Sequence, residues 1–239
     1  MRRSDLVQLS VVIATLNKPG TACRLAERIR ELLPSLDLEV IVVTPPGVRC
    51  PESGANVQHV VEARRGVYAA YTAGVQAARG EYVWFVGDDD YPLDGLGALA
   101  THLEEATLDV LVAPVVFSSG RIYRPTRSRL VLLFLNWCQQ GVVYRRRLLL
   151  RYRFYRRLVV AADQFVNVSL RSDPAVRIRF LPDPICLFGL NGISGRLADR
   201  SYRALRPALA HRTLGRASFL VFRALLVVEP LVKYVVRIR

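Results

Sequence analysis

The chain has 239 residues and carries 34 Lys and Arg against 20 Asp and Glu, a net charge of +14. That length suits one large domain whose core needs no staples. Cys23, Cys50, Cys138 and Cys186 are widely spaced with no Cys-x-x-Cys pair, which argues against a zinc framework or a disulfide scaffold. The charge points to anionic partners such as phosphorylated small molecules or lipid head groups. No basic low-complexity arm is present, so nucleic acid is not an expected partner.

In chain order, Leu9 to Ala14 is a short β-branched run that reads as the first strand, and Thr15 to Gly20 as its ligand-facing turn. Thr21 to Leu33 follows helical spacing, with Ala22, Leu25, Ala26, Ile29 and Leu33 on one side. Val40 to Val43 is a second buried strand, closed by Pro45-Pro46-Gly47. A loop containing His59 leads to a small-residue helix over Gly66 to Ala78, with Gly80 placed as its C-cap glycine. Tyr82 to Val86 is a third strand, Leu93 to Ala106 an amphipathic helix, and Val110 to Phe117 a further strand. This alternation predicts right-handed crossovers and the first half of a doubly wound, mostly parallel α/β sheet.

The third strand empties into Asp88, Asp89 and Asp90. Where a buried strand ends, such acids sit in the crevice at the carboxyl edge of the sheet. Three adjacent carboxylates repel one another unless a cation lies between them, and oxygen ligands suit Mg²⁺ or Mn²⁺. The plainer alternative is a solvated acidic turn before Pro92. His59, His102 and His211 lack partner patterns, and Asn191 to Gly195 lacks the register of a nucleophile elbow.

Several motifs in order resemble family 2 glycosyltransferases with the GT-A fold, over about residues 9 to 200. Val-Val-Ile-Ala-Thr-Leu-Asn resembles the family's first strand and loop. Gly66 to Val75 with Ala78-Arg79-Gly80-Glu81-Tyr82 resembles the helix and strand before its metal site, and Gly87-Asp88-Asp89 the end of that strand. Cys138 to Arg146 resembles the acceptor-side segment that usually carries His-Gln. Ala162-Asp163 resembles the catalytic-base segment, and Asn191-Gly192-Ile193-Ser194 the Gly-Gly-Ile-Ser turn. The nearest pattern is the bacterial exopolysaccharide and glycolipid branch.

The resemblance implies an inverting, metal-dependent transfer of a sugar from a UDP- or GDP-sugar to a lipid-linked or polysaccharide acceptor. Asp163 is implied as general base, and its apolar approach from Leu158 to Ala162 predicts a raised pKa; a helix N-cap is the competing role. Thr15, Asn17, Thr44, Arg65, Gly66, Asp88 and Asp89 are implied for the donor, Asp88, Asp89 and Asp90 for Mn²⁺ or Mg²⁺, and Gln139, Gln140, Asn191 and Ser194 for the acceptor side. The chain departs from the family in four places. Thr44-Pro45 replaces an Asp pair that reads the nucleoside, Ala69 replaces Asp, Gln139 replaces His, and Phe165 replaces a second Asp.

Arg145, Arg146, Arg147, Arg151, Arg153, Arg156 and Arg157 alternate with Tyr144, Tyr152, Phe154 and Tyr155. They are expected beside the acceptor cleft or as a solvated helix face. Ala217 to Val236 is apolar but interrupted by Arg223, Glu229, Pro230 and Lys233, the pattern of an interfacial helix and not of a spanning one; docking on its own domain or on a partner subunit is the alternative. The expected organisation is a GT-A domain over 1–200, with a nucleotide-sugar half over 9–117 and an acceptor half over 118–200. A basic amphipathic tail over 201–239 would hold the protein on the inner face of the cell membrane, in a cytoplasmic setting suggested by the lack of a signal-peptide pattern. A sugar nucleotidyltransferase and a non-catalytic basic adaptor are the other readings.

Overall fold

A computed structural model describes residues 7–48, 50, 57–104, 107–189 and 200–238. In chain order the strands are β1 (Leu9–Ala14), β2 (Leu38–Thr44), β3 (Val57–Val61), β4 (Tyr82–Gly87), β5 (Tyr91–Pro92), β6 (Val110–Val112), β7 (Val115–Phe117), β8 (Ile122–Tyr123), β9 (Val142–Arg145), β10 (Ile178–Phe180) and β11 (Cys186–Phe188). The helices are α1 (Pro19–Leu32), α2 (Val67–Ala77), α3 (Ala98–Glu104), α4 (Arg129–Leu132), α5 (Arg146–Tyr152), α6 (Ala162–Ser172), α7 (Arg200–Thr213) and α8 (Arg216–Ile238).

Seven strands form the main sheet in the order β10-β6-β9-β4-β1-β2-β3. All its ladders are parallel except the two made by β9, which runs against β4 and β6. Such strands are covered on both faces and so read as continuous apolar runs. Within β1, Val11 and Ile13 pack toward the α1 and α3 side, and Val12 toward α2, α5 and α6. A Cβ on Gly74 would lie 2.3 Å from Val12 Cγ1, so α2 rests on β1 at this position only as glycine.

Gly80 has a different role from the one expected. α2 ends at Ala77 with Ala78 as cap, and a Cβ on Gly80 would meet Ser10 N at 2.5 Å. The missing side chain permits close approach to β1, where Ser10 Oγ accepts the Gly80 amide at 2.8 Å and donates to the buried Glu39 at 2.7 Å.

The run Val110 to Phe117 is two strands in two sheets. Pro114 has no N–H for a ladder, and the chain leaves the main sheet at Ala113 to enter a four-stranded sheet ordered β5-β11-β7-β8. The helix expected over Leu93 to Ala106 begins as a 3-10 turn over Asp94–Gly97 before α3. The loop expected around His59 contains edge strand β3.

The C-terminal helices are built into the domain. Tyr202 and Leu209 of α7 and Phe222 of α8 are buried in the same cluster as α6, and Tyr202 Oη donates to Leu133 O at 3.2 Å.

Candidate active site

Sheet order reverses between β1 and β4: the chain goes outward from β1 to β2 and β3, then returns to place β4 on the other side. Ligands of open α/β sheets bind at this switch point, outside the carboxyl ends of the strands. Ala14 is level with both Val43 and Gly87, so three strands deliver their next residues to one edge. Thr15 and Asp88 meet there, the hydroxyl donating to Asp88 Oδ2 at 2.5 Å and accepting the Lys18 amide at 3.0 Å.

A cleft of about 770 Å³ opens at this edge and gathers most of the expected residues: Thr15, Asn17, Gly66, Asp88, Asp89, Gln139, Gln140 and Asp163 all line it. Its volume is in the range of small-molecule and cofactor sites. Gly66, at φ 139°, holds a backbone conformation that side chains rarely adopt, just before α2.

Three expected residues lie elsewhere. Thr44 is fully buried, its hydroxyl donating to Val48 O at 3.2 Å and lying 2.7 Å from His59 Nε2. The side chain is spent on joining β2 to β3 and does not reach a base in the cleft. Arg65 is exposed outside the cleft lining. Asp90 is 6% exposed and faces inward, where Oδ2 accepts the Gly87 amide at 2.6 Å and Oδ1 the Gly189 amide at 3.1 Å. Burial pushes its carboxyl up to about 6 against those bonds. It ties the acidic turn to the end of β11 and is not free to ligate an ion. Asn191 and Ser194 lie outside the described residues.

Among the described residues, no group of three or more His, Cys, Asp or Glu could hold a metal by itself. Asp88 and Asp89 remain on the cleft, a pair of hard oxygen donors. Mg²⁺ commonly uses one or two carboxylates and takes further ligands from substrate phosphates, so this pair fits an ion completed by a bound diphosphate.

Asp163 sits in the first turn of α6, with Ala161 at the N-cap position, so it is not the cap. It is 8% exposed. Oδ1 accepts the Gln164 amide at 2.9 Å and Tyr68 Oη at 2.6 Å, and Oδ2 accepts Asn136 Nδ2 at 2.7 Å. Burial pushes the carboxyl up to about 6, while the bonds from Tyr68, Gln164 and Asn136 pull it down. Tyr68 Oη also lies 2.5 Å from Val160 O. A phenol has one proton, so Val160 O and Asp163 compete for it.

Sequence reasoning missed Tyr68, Asn136 and four further groups on the lining. Tyr202, Arg203 and Arg206 reach the cleft from α7, with the Arg206 guanidinium 4.6 Å from the Phe134 ring centre. Glu62 follows β3, is 3% exposed, and leaves Oε1 without a hydrogen-bond partner. Burial pushes its carboxyl up, opposed by the Gly66 amide and the charge of Arg65. A lone acid before Ala63-Arg64-Arg65 gave no pattern to find it by.

The first part of the basic cluster, at the end of β9 and the start of α5, is not beside the cleft. Because β9 is antiparallel, Arg145 pairs with Tyr82 at the beginning of β4, the edge opposite Asp88. Arg145 bonds Glu81 at 2.7 Å and Arg147 bonds the buried Asp109 at 2.6 Å, while Tyr144 and Phe154 belong to the core.

The fold and its acid-tipped switch point define the GT-A class of nucleotide-sugar folds. A family model described as Glycosyl transferase family 2 matches residues 50–168. Residues 50–168 belong to glycosyl transferase family 2. Similar curated proteins named PGL/p-HBAD biosynthesis glycosyltransferase, from Mycobacterium tuberculosis H37Rv and Mycobacterium bovis AF2122/97, are 30% identical over 159 residues, 60% of this chain and 59% of each relative. The chain thus spans about three-fifths of the length of those relatives. The structure of S. aureus TarS aligns with TM-score 0.64 and 20% identity over 89% of this chain and 41% of that one. TarS 1-349 in complex with UDP-GlcNAc aligns with TM-score 0.65 and 18% identity over 89% and 69%.

Proposed function

We propose that the chain is an inverting glycosyltransferase that moves a sugar from a nucleoside diphosphate donor, UDP or GDP, to a hydroxyl of a lipid-linked or polysaccharide acceptor. The observation that carries this reading is Asp163: a buried carboxyl with its pKa moved to about 6, held by Tyr68 and Asn136 on the wall of the cleft that also contains Asp88 and Asp89. A general base tuned toward neutral pH is most useful when its proton affinity lies near the working pH. The TarS neighbour's complex with UDP-GlcNAc and the glycosyltransferase names of the curated relatives support the substrate class.

In this reading the acceptor oxygen attacks the anomeric carbon, the carbon–phosphate oxygen bond breaks with its electron pair going to the diphosphate, and Asp163 takes the hydroxyl proton. Asn17 and Gly66 flank the donor, Thr15 orients Asp88, and Gln139 and Gln140 face the sugar from the acceptor side. A divalent ion held by Asp88 and Asp89 would supply Lewis-acid stabilisation of the departing diphosphate. Asp90 holds the turn that presents that pair.

Leu220, Val221, Leu225 and Val227 of α8 are exposed beside Arg223, while no helix among the described residues is long and apolar enough to cross a membrane. This face would rest on anionic lipid at the inner side of the cell membrane, near a lipid-linked acceptor.

The test is calorimetric titration with uridine, guanosine, thymidine and cytidine diphosphate sugars, each with Mn²⁺ and with EDTA, alongside Asp89→Ala. Metal-dependent binding of a donor, lost in the variant, is the expected result; a folded protein silent to the whole panel overturns the reading.

A further inference from the structure

Glu62 is a buried carboxylate that the chemistry above does not use. It lies in the cleft wall, yet Oε1 has no hydrogen-bond partner. A buried acceptor without a donor costs free energy comparable to a lost hydrogen bond. The local fold does not require that cost, because the Gly66 amide already engages the carboxylate and the partnerless oxygen adds nothing to the turn into α2.

Its position indicates what would satisfy it. The Glu62 amide donates to Thr44 O at 2.9 Å, so the residue prolongs β3 alongside the end of β2. β3 is separated from β4 by β2 and β1, and three strand spacings of about 4.8 Å put Glu62 about 14 Å from the Asp88–Asp89 end. That is the span of a nucleoside diphosphate from phosphate to base edge, with Val43 lining the cleft between. Thr44, which the sequence offers for the base, is committed to His59 and Val48.

We infer that Glu62 reads the donor's base, accepting the ring N–H of uracil, thymine or guanine through Oε1. This rests on the nucleotide-sugar reading above. Cytosine and adenine present a ring lone pair at the equivalent position, facing the carboxylate's own lone pairs. Their exocyclic amino groups can still donate, but only by bringing that lone pair along.

The experiment is calorimetry at pH 8 with Mn²⁺, titrating UDP, dTDP, GDP, CDP and ADP into wild-type protein and Glu62→Gln. In wild type at least one of UDP, dTDP and GDP binds about tenfold or more tighter than both CDP and ADP, the scale of one good base contact. In Glu62→Gln the amide oxygen keeps the Gly66 N–H, which leaves the NH₂ where Oε1 was. A donor there reverses the preference toward CDP or ADP. Equal binding of all five nucleotides by wild type overturns the inference, as does an unchanged order in the variant; the first arm stands even if the variant fails to fold. If no nucleotide binds, the nucleotide-sugar reading falls and this one with it, a result distinct from binding without discrimination.

Discussion

The end of the cleft proposed for the donor consists of strand ends, and the end proposed for catalysis of side chains brought from far apart. At the donor end, Thr15, Glu62 and Asp88 each follow a strand of one parallel ladder, so backbone hydrogen bonds set their spacing. At the other end, Tyr68 and Asp163 meet across 95 residues of sequence and Asn136 joins from a third segment. Position there depends on packing, including α7 and α8 on the Phe134 region. The first construction is rigid by default, and the second is only as good as its supports.

That contrast can be broken from either side. Asp163→Asn is expected to cut transfer by about 10²–10⁴-fold, the worth of a positioned general base, while donor affinity by calorimetry stays unchanged; equal losses in both would merge the two ends. Phe222→Ala empties a fully buried position stacked near Phe134 and is expected to cost about 3–5 kcal/mol in urea unfolding. Gly74→Ala strikes the donor end by forcing a methyl into Val12, with an expected cost of about 1–3 kcal/mol and weaker donor binding.

The smallest effect concerns protons. With Asp163 near 6, the rate is expected to rise with pH through an acid limb in that region. Tyr68→Phe removes a bond that favours the ionised form, so the limb moves upward; a downward or absent shift would deny Tyr68 its hold on the base. The sign for stability is opposite. The folded pKa lies above the ordinary 3.8, so the folded state loses stability as pH rises between about 4 and 6, which thermal melting across that window reads directly.

The donor end was largely legible because a buried parallel strand writes itself as an apolar run and its end as a sudden change to Thr or Asp. β1, β2, α2 and β4 stand within two residues of their expected limits. Edge strand β3 was missed because its apolar residues, Val57, Val60 and Val61, neither form a continuous run nor alternate, and Val110 to Phe117 read as one strand because Pro114 interrupts hydrogen bonding without interrupting hydrophobicity. Asp163 was legible through its motif, but Tyr68 and Asn136 were not, since nothing local marks which distant side chain will touch it. Of the roles considered for α8, docking on its own domain is seen for Phe219, Phe222 and Leu226; Leu220, Val221, Leu225 and Val227 are exposed, and the lipid contact proposed for them is a separate matter.

One reversed strand separates two surfaces that sequence places side by side. Gln139 and Gln140 enter β9 at the cleft, and Arg145 leaves it on the opposite edge, about 13 Å away for four residues of strand. The charges at that far edge are balanced where they stand, Arg145 by Glu81 and Arg147 by Asp109, so local pairing and distance, and not the low-dielectric core, keep their field small at the cleft. Substitutions at the basic edge that preserve those pairs, for solubility or for another docking partner, are expected to leave the electrostatics of the cleft little changed.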